Sequence, residues 1–379
     1  MNILIINCGS SSVKYQLFCM RKMSVLARGI AEKIGCRDSY ISYQKANASI
    51  RVKAYFKDYF TAISKIVDLL VHPQKGAIKS KAEINAIGHR VVHGAEEFKS
   101  SIVINKYVLE RIKYYGRLAP LHNPPACNGI KAALKIFPRI KQVAVFDTAF
   151  HQTMPEEAFM YGLPYAFYKK YGIRRYGFHG TSHRYVAQQA AKILRRPLNK
   201  LKLISCHLGN GCSIAAIKFG RSIDTSMGFT PLEGLLMGTR CGDIDPALVG
   251  YIMEKGQYSI ENVNAIMNRK SGLLGLSGIS NDMRDLLAQR KKGNKKAKLA
   301  IDVFIYRVIK YIGAYLAALN GADAIILTAG IGENVKLIRQ RIQERLGNIL
   351  GRNFKMLVIP TDEERSIALD TFKLVKRHK

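Results

Sequence analysis

Tryptophan is absent from the chain, and acidic side chains are scarce. Only 27 Asp and Glu stand against 60 Lys and Arg in 379 residues, a formal net charge of +33. No apolar run approaches the roughly 18 residues that a membrane helix needs, so no membrane partner is expected. The first apolar run has no basic stretch before it and is interrupted early by Asn7-Cys8-Gly9. A signal peptide is therefore not expected, and a cytoplasmic location is. The cysteines at 8, 19, 36, 127, 206, 212 and 241 include no CxxC pair and no His/Cys metal spacing. They read as reduced thiols, most of them small core residues. Neither G-x-x-x-x-G-K-[ST] nor G-x-G-x-x-G occurs, which disfavours P-loop and dinucleotide-binding folds.

The missing negative charge bears on partners and not on fold. Three readings compete: nucleic-acid binding, steering of anionic substrates, and a generally basic solvated surface. The densest patch, Arg290–Lys298, lacks interleaved aromatics, so no base-stacking platform is expected. A solvated basic surface is the preferred reading, and nucleic acid ranks last.

The chain is long enough for two domains, and 48% apolar with 23% charged residues suits a globular enzyme. Lys202–Ser213 predicts strand, tight turn, strand, with Gly209-Asn210-Gly211 at the tip. The N-terminus echoes it: an apolar run, the polar tip Asn7–Ser12, then Val13–Phe18. Two such tips suggest a duplicated α/β domain. A boundary is expected near 148–150, where the composition turns aromatic. Thr181-Ser182 is expected to cap a helix running to Leu194. Thr328–Asn334 is expected to open a helix running to about 346.

Three tips follow apolar strands: Asn7–Ser12 with Lys14 behind it, His207–Gly211, and Gly330–Asn334. Small residues let backbone amides approach an anion closely, so together they suggest a polyphosphate site. Arg90 and Arg240 each suit either a salt bridge, with Asp243 and Asp245 as candidates near Arg240, or a guanidinium clamp on a carboxylate or phosphoryl group. Asp147 suits an N-cap, a metal-water ligand or a base. His122 and His179 suit a structural role or a phosphate site.

The motifs together resemble the acetate kinase family, of the superfamily that also holds sugar kinases, Hsp70 and actin. They are Asn7-x-Gly9-Ser10-Ser11-Ser12-x-Lys14, Gly88–Gly94, Ala119–Pro124, Phe146–His151, Tyr176–His183, His207–Gly211, Met237–Asp243, Asp282–Arg284 and Gly330–Asn334. The resemblance implies two RNase-H-like βββαβαβα domains with a catalytic cleft between them. The first would be residues 1–149 plus 362–379, the last helix crossing back. The second, 150–361, would bind nucleotide and dimerise. It implies reversible transfer of the ATP γ-phosphoryl group to acetate, directly and in line, with Mg²⁺ (or Mn²⁺). By the same resemblance Asn7 and Glu363 support the metal, with Asp147 acting nearby through water. Lys14, Ser12, His207, Leu208, Gly209, Asn210, Gly211, Asp282, Met283, Arg284, Gly330, Ile331, Gly332, Glu333 and Asn334 hold ATP. Arg90 binds the acetate carboxylate, and Val92, Leu121, Phe178 and Pro231 form the methyl pocket. Arg240, His179 and His122 stabilise the transferring phosphoryl group, completing the catalytic set with Asp147. A homodimer and functional coupling to phosphate acetyltransferase are further implications.

Two positions depart from the family pattern. Ala95 stands where a second glycine is usual, and Asp362 where Asn is usual. Two other classes remain to be separated by experiment. An actin- or Hsp70-like ATPase would hydrolyse ATP without acetate, and a nucleic-acid binder would hold its ligand at moderate salt.

Overall fold

The computed structural model describes residues 1–46, 48–350 and 354–377. They fall into two compact units, Met1–Ala149 with Asp362–Lys379, and Phe150–Thr361.

The first unit is built on β1 (Asn2–Cys8), β2 (Ser12–Cys19), β3 (Ser24–Glu32), β4 (Tyr40–Lys45), β5 (Ala48–Lys53), β6 (Ile84–Val91), β7 (Ile102–Val103) and β8 (Gln142–Phe146). They form one sheet in the order β5-β4-β3-β2-β1-β6-β8-β7. β1, β6 and β8 run parallel, and the β1–β5 meander is antiparallel. Every residue of β8 is buried, and nearly every residue of β1 and β6. Such continuous apolar runs mark a parallel centre covered on both faces. The helices Tyr59–Leu70 and Asn123–Ile136 cover one face, packing Ala62, Ile63, Ile66, Ala132 and Ala133 against Leu4, Ile6 and Ile87. The terminal helix Glu363–Arg377 covers the other, with Ile367 and Ala368 against Ile3, Ile5 and Val143. Gly88 lets that helix come close. A Cβ there would stand 2.6 Å from Thr371 Oγ1 and 2.7 Å from Ile367 Cγ2.

The second unit repeats the plan. β9 (Lys202–Leu208), β10 (Cys212–Lys218), β11 (Arg221–Thr225), β12 (Ala324–Thr328) and β13 (Met356–Val358) lie in the order β11-β10-β9-β12-β13. The first three are antiparallel, and β12 and β13 are parallel to β9. Order and direction match β3-β2-β1-β6-β8, so the duplication suggested by two similar tips extends to the sheets. Val186, Ala187 and Ala190 of the helix Gly180–Ile193 cover one face. The 25-residue helix Lys295–Leu319 packs on β9 and β10.

Two local expectations fail. Thr181 and Ser182 do not cap their helix. It begins at Gly180, with His179 in the N-cap position and no side-chain cap bond. Ser182 instead bonds His207 Nδ1 at 2.8 Å and Thr361 Oγ1 at 2.7 Å, so a tertiary pair displaces the local cap. The helix expected over 328–346 is two, Ala329–Asn334 and Lys336–Leu350, parted at Val335 by extended backbone. Among the described residues, no helix is long and apolar enough to cross a membrane.

Candidate active site

In each unit the expected tips lie at the carboxyl ends of the parallel strands, where open α/β sheets receive ligands.

In the first unit Asn7 lies opposite Lys14 across β1 and β2, so the metal and phosphate candidates are neighbours by strand register. Ser12 opens β2, and its carbonyl accepts from Gly9 N at 2.8 Å. Tyr59 Oη donates to Gly9 O at 2.6 Å and anchors the tip. Arg90 lies near the end of β6 and Asp147 directly follows β8. The guanidinium holds the carboxylate through Nε at 3.2 Å to both oxygens and Nη2 at 2.6 Å to Oδ2. Glu363 Oε2 stands 3.6 Å from Arg90 Nε. The salt-bridge alternative is therefore realised at Arg90, and the N-cap alternative is not realised at Asp147. Burial opposes the charge on Arg90, but Asp147 and Glu363 outweigh it and raise its pKa. Burial pushes the Asp147 carboxyl up against the pull of Arg90, and His122 adds a weaker downward influence.

His122 takes the N-cap position of the helix Asn123–Ile136. Asn123 ties that helix to the strand end: His93 N donates to Asn123 Oδ1 at 3.0 Å, and Asn123 Nδ2 to His93 O at 2.9 Å. Ala95 N donates to His93 Nδ1 at 3.0 Å, so the neutral ring carries its proton on Nε2. Ala95 itself has φ +49°, the left-handed region that explains a glycine preference at this position. Asp362 caps the terminal helix, accepting from Arg365 N at 2.9 Å, a task Asn performs equally well. Val92 is half-buried in this unit, and Leu121 is 52% exposed.

In the second unit a cleft of about 740 Å³ is lined by Gly209, Asn210, Asp282, Met283, Arg284, Gly330, Ile331 and Asn334, with Asn281 among them. Three separate sequence segments expected to hold ATP thus share one cavity. Asn281 Nδ2 donates to Asn210 Oδ1 at 2.9 Å. Asp282 caps the helix Met283–Lys291 and engages Arg284 locally. Glu333 points elsewhere, with Oε1 accepting from Thr361 N at 3.2 Å. Leu208 is buried at the end of β9, and Gly332 is buried in the helix Ala329–Asn334.

Beside this cleft, Gly211 sits under two donors. A Cβ added there would lie 3.5 Å from His179 Nε2 and 3.7 Å from Arg240 Nη1, in ordinary contact. His179 has φ +56°, and a left-handed non-glycine residue is strain held by its surroundings. The His207 ring stacks on the His179 ring with centroids 4.2 Å apart. Buried His151 steadies the segment before it: Nε2–H donates to Phe178 O at 3.0 Å, and Ser222 Oγ lies 2.8 Å from Nδ1. Phe178 is buried in this second unit, and Pro231 O accepts from Arg240 Nη1 at 3.3 Å.

Among the described residues Arg240 makes no ion pair. Asp243 takes Gly234 N and Tyr311 Oη instead, and Asp245 takes Ala247 N. Burial lowers the Arg240 pKa, and Cys212 opposes that shift only weakly. A half-buried cation without an ion pair among the described residues is suited to an anionic partner.

Comparison with known proteins agrees. The model of the acetokinase family matches residues 2–368. The chain belongs to the acetokinase family. It is 52% identical to the acetate kinase of Desulfitobacterium hafniense strain DCB-2, over the whole of both chains. The Porphyromonas gingivalis acetate kinase structure superposes with a TM-score of 0.93 at 42% identity, covering 99% of each chain. A propionate kinase from Francisella tularensis superposes at 0.92, with 43% identity over 98% of this chain and 99% of its own. The fold is that of the acetokinases, an α/β enzyme of the actin and Hsp70 type.

Sequence reasoning on this acetokinase missed Glu364, His183, Ser205, Ser213 and His151. Burial raises the Glu364 pKa, and Glu363 and Asp362 add to it. The signal for the others was periodicity. His179 and His183 are one helical turn apart, and Ser205, His207 and Ser213 fall on one face of the hairpin, with Ser213 opposite His207.

Proposed function

We propose that this acetokinase transfers the terminal phosphoryl group of ATP to acetate, reversibly, forming acetyl phosphate and ADP. The observation that carries it is the convergence of Arg240 Nη1 and His179 Nε2 on Gly211, beside a cleft lined by three of the four segments expected to hold ATP, Ser12 and Lys14 lying in the first unit. Phosphoryl transfer needs positioning and charge stabilisation more than covalent help, and these groups supply both. Arg240 meets charge developing on the equatorial oxygens. His179 donates a hydrogen bond there, and His122 assists near Asp147. Arg90 orients the acceptor carboxylate while it holds Asp147. The carboxylate oxygen is already a competent nucleophile, so Asp147 need only orient and polarise. Val92, Leu121, Phe178 and Pro231 are proposed to receive the methyl group.

The donors offered by Asn7, Asp147 and Glu363 are all oxygens, which suits Mg²⁺. Among the described residues no three His, Cys, Asp or Glu side chains are gathered to hold a metal. Mg²⁺ keeps waters and phosphate oxygens and takes only one or two carboxylates from protein. Asn7 and Glu363 would hold it, and it would neutralise phosphate charge.

Acetate is proposed over propionate on Val92, since a smaller residue there would leave room for one more methylene. The Francisella propionate kinase is as similar in fold as the acetate kinase above, so a pocket residue and not the fold must decide. Hydroxylamine trapping of acyl phosphate across acetate, propionate and butyrate tests this. Acetate is expected to lead propionate by about 10-fold or more, the scale of one methylene. Faster butyrate turnover would refute it.

The helix Ala247–Gly256 is rich in apolar residues, yet none of it is buried, and Leu248 and Tyr251 are 42% and 59% exposed. This supports a homodimer through the second unit. Light scattering should give twice the chain mass, and Leu248→Asp with Tyr251→Asp should halve it. A cytoplasmic setting is proposed with it, and an acyl-phosphate-consuming enzyme such as phosphate acetyltransferase is the expected functional partner.

A further inference from the structure

Behind His179 runs a buried polar ladder. His179 Nδ1 lies 2.9 Å from Ser213 Oγ, Ser213 Oγ 2.8 Å from His183 Nε2, and His183 Nδ1 2.9 Å from Ser205 Oγ. Ser205, Ser213 and His183 are completely buried. Among the described residues Ser205 Oγ has one hydrogen-bond partner, His183 Nδ1, and Ser213 Oγ has two, one on each histidine. A neutral imidazole carries one N–H, and each hydroxyl carries one proton.

Those counts allow the ladder to run in either direction, with unequal consequences. In one direction His179 Nδ1–H donates to Ser213, Ser213 to His183 Nε2, and His183 Nδ1–H to Ser205. The Ser205 proton is then buried without an acceptor, which is costly. In the other direction Ser205 donates to His183 Nδ1, His183 Nε2–H donates to Ser213, and Ser213 donates to His179 Nδ1. The buried protons of Ser205, His183 and Ser213 then each have an acceptor. We propose that Ser205, His183 and Ser213 form a directed relay that holds His179 as its Nε2–H tautomer, so that a neutral donor faces the phosphoryl position beside Arg240.

The relay needs His183 uncharged. Burial lowers the His183 pKa well below the ordinary histidine value, and His151 and His207 add to the effect. The relay also explains why a neutral ring suffices here. Arg240 already supplies the positive charge, and a second cation beside it would oppose it. Ser205, His183 and Ser213 are positioning residues, because each acts through His179. The mechanistic use of the tautomer rests on the proposed phosphoryl transfer, but its assignment does not.

Two measurements separate these. The first is a ¹H–¹⁵N correlation spectrum of the ring-labelled full chain at pH 7.5, which distinguishes Nδ1–H from Nε2–H. Its His179 signals are identified by their loss in His179→Gln. We expect Nε2–H for both His179 and His183, and a mixture of tautomers at His179 in Ser213→Ala. The second is kinetic. Ser213→Ala should lower kcat about 10-fold or more, with acetate and ATP KM within about 3-fold, because the lost interaction belongs to the transition state. His183→Gln, which keeps a donor toward Ser213, should retain more kcat than His183→Ala. An Nδ1–H tautomer at His179 in the unsubstituted protein would overturn the relay, whatever the variants do. An unchanged tautomer in Ser213→Ala would overturn it as well. Nε2–H at His179 without acyl-phosphate formation would sustain the relay and refute the proposed reaction.

Discussion

Arg90 and Arg240 share a residue type and differ in what neutralises them. Arg90 is held by Asp147 and faced by Glu363, whereas Arg240 makes no ion pair among the described residues. Removing one partner of a buried pair costs about 3–5 kcal/mol, because the other charge is left unpaired. Asp147 is only 1% exposed, so Arg90→Ala should destabilise the first unit on that scale and raise acetate KM. Adding Asp147→Asn should restore part of the stability, since the orphaned charge is gone. Urea titrations of the two single variants and the double variant test the coupling. Strict additivity would show that the pair is not a unit. The chemistry of both arginines was open in the sequence as a choice between salt bridge and clamp. Only the positions of Asp147, Asp243 and Asp245 in space decide between them.

At the scale of elements, two glycines separate binding from packing. A Cβ at Gly211 meets its neighbours at ordinary contact distance, and no left-handed backbone is required there. Gly211→Val should therefore fold, yet place methyl groups under His179 and Arg240, and ATP affinity should fall at least 10-fold by calorimetry. Unchanged affinity would remove the tip from the site. A Cβ at Gly88 instead meets Thr371, Ile367 and Ile5 at 2.6–2.9 Å. Gly88→Val should cost about 1–3 kcal/mol, the usual range for overpacking. The strands on either side of the two tips and the helix ending near Leu194 were legible in the sequence, because their apolar periods match buried strands and an amphipathic helix. The Thr181-Ser182 cap was misread because Ser182 answers to His207 and Thr361, which are far away in sequence. The relay serines were not legible one by one. They emerge only when hairpin register sets Ser213 opposite His207 and the helix brings His183 over the same face.

At the scale of the whole molecule, buried histidines set the response to acid. Burial lowers the pKa of His89 to about 4, His93 to about 3 and His151 to about 4. In the unfolded chain they titrate near 6.5. The unfolded state thus binds more protons below that pH, so stability falls as pH falls. The contribution is complete above about pH 6.5 and is lost progressively toward about pH 4 for His89 and His151 and about pH 3 for His93. His89 and His151 are each worth on the order of 3 kcal/mol and His93 on the order of 5, a large part of a domain's stability. The urea midpoint should drop clearly between pH 7 and pH 5, and a flat midpoint would show that these rings are not held neutral. The net charge of +33 acts at the same scale. If it steers anions, kcat/KM for ATP should fall with added salt while kcat holds. The two-unit plan could be suspected from two echoing tips, but the match of the five-stranded sheet to five strands of the larger one is a property of long-range pairing.

The most direct test is hydroxylamine-trapped acyl phosphate from ATP and acetate, measured for the unsubstituted protein and for Arg240→Ala. The proposed role of the half-buried Arg240 predicts acetate-dependent acyl phosphate in the first case. In the second it predicts a kcat lowered by ~10³ or more, with acetate KM changed far less. ATP hydrolysis that ignores acetate, or an Arg240→Ala protein with near-normal kcat, would contradict it.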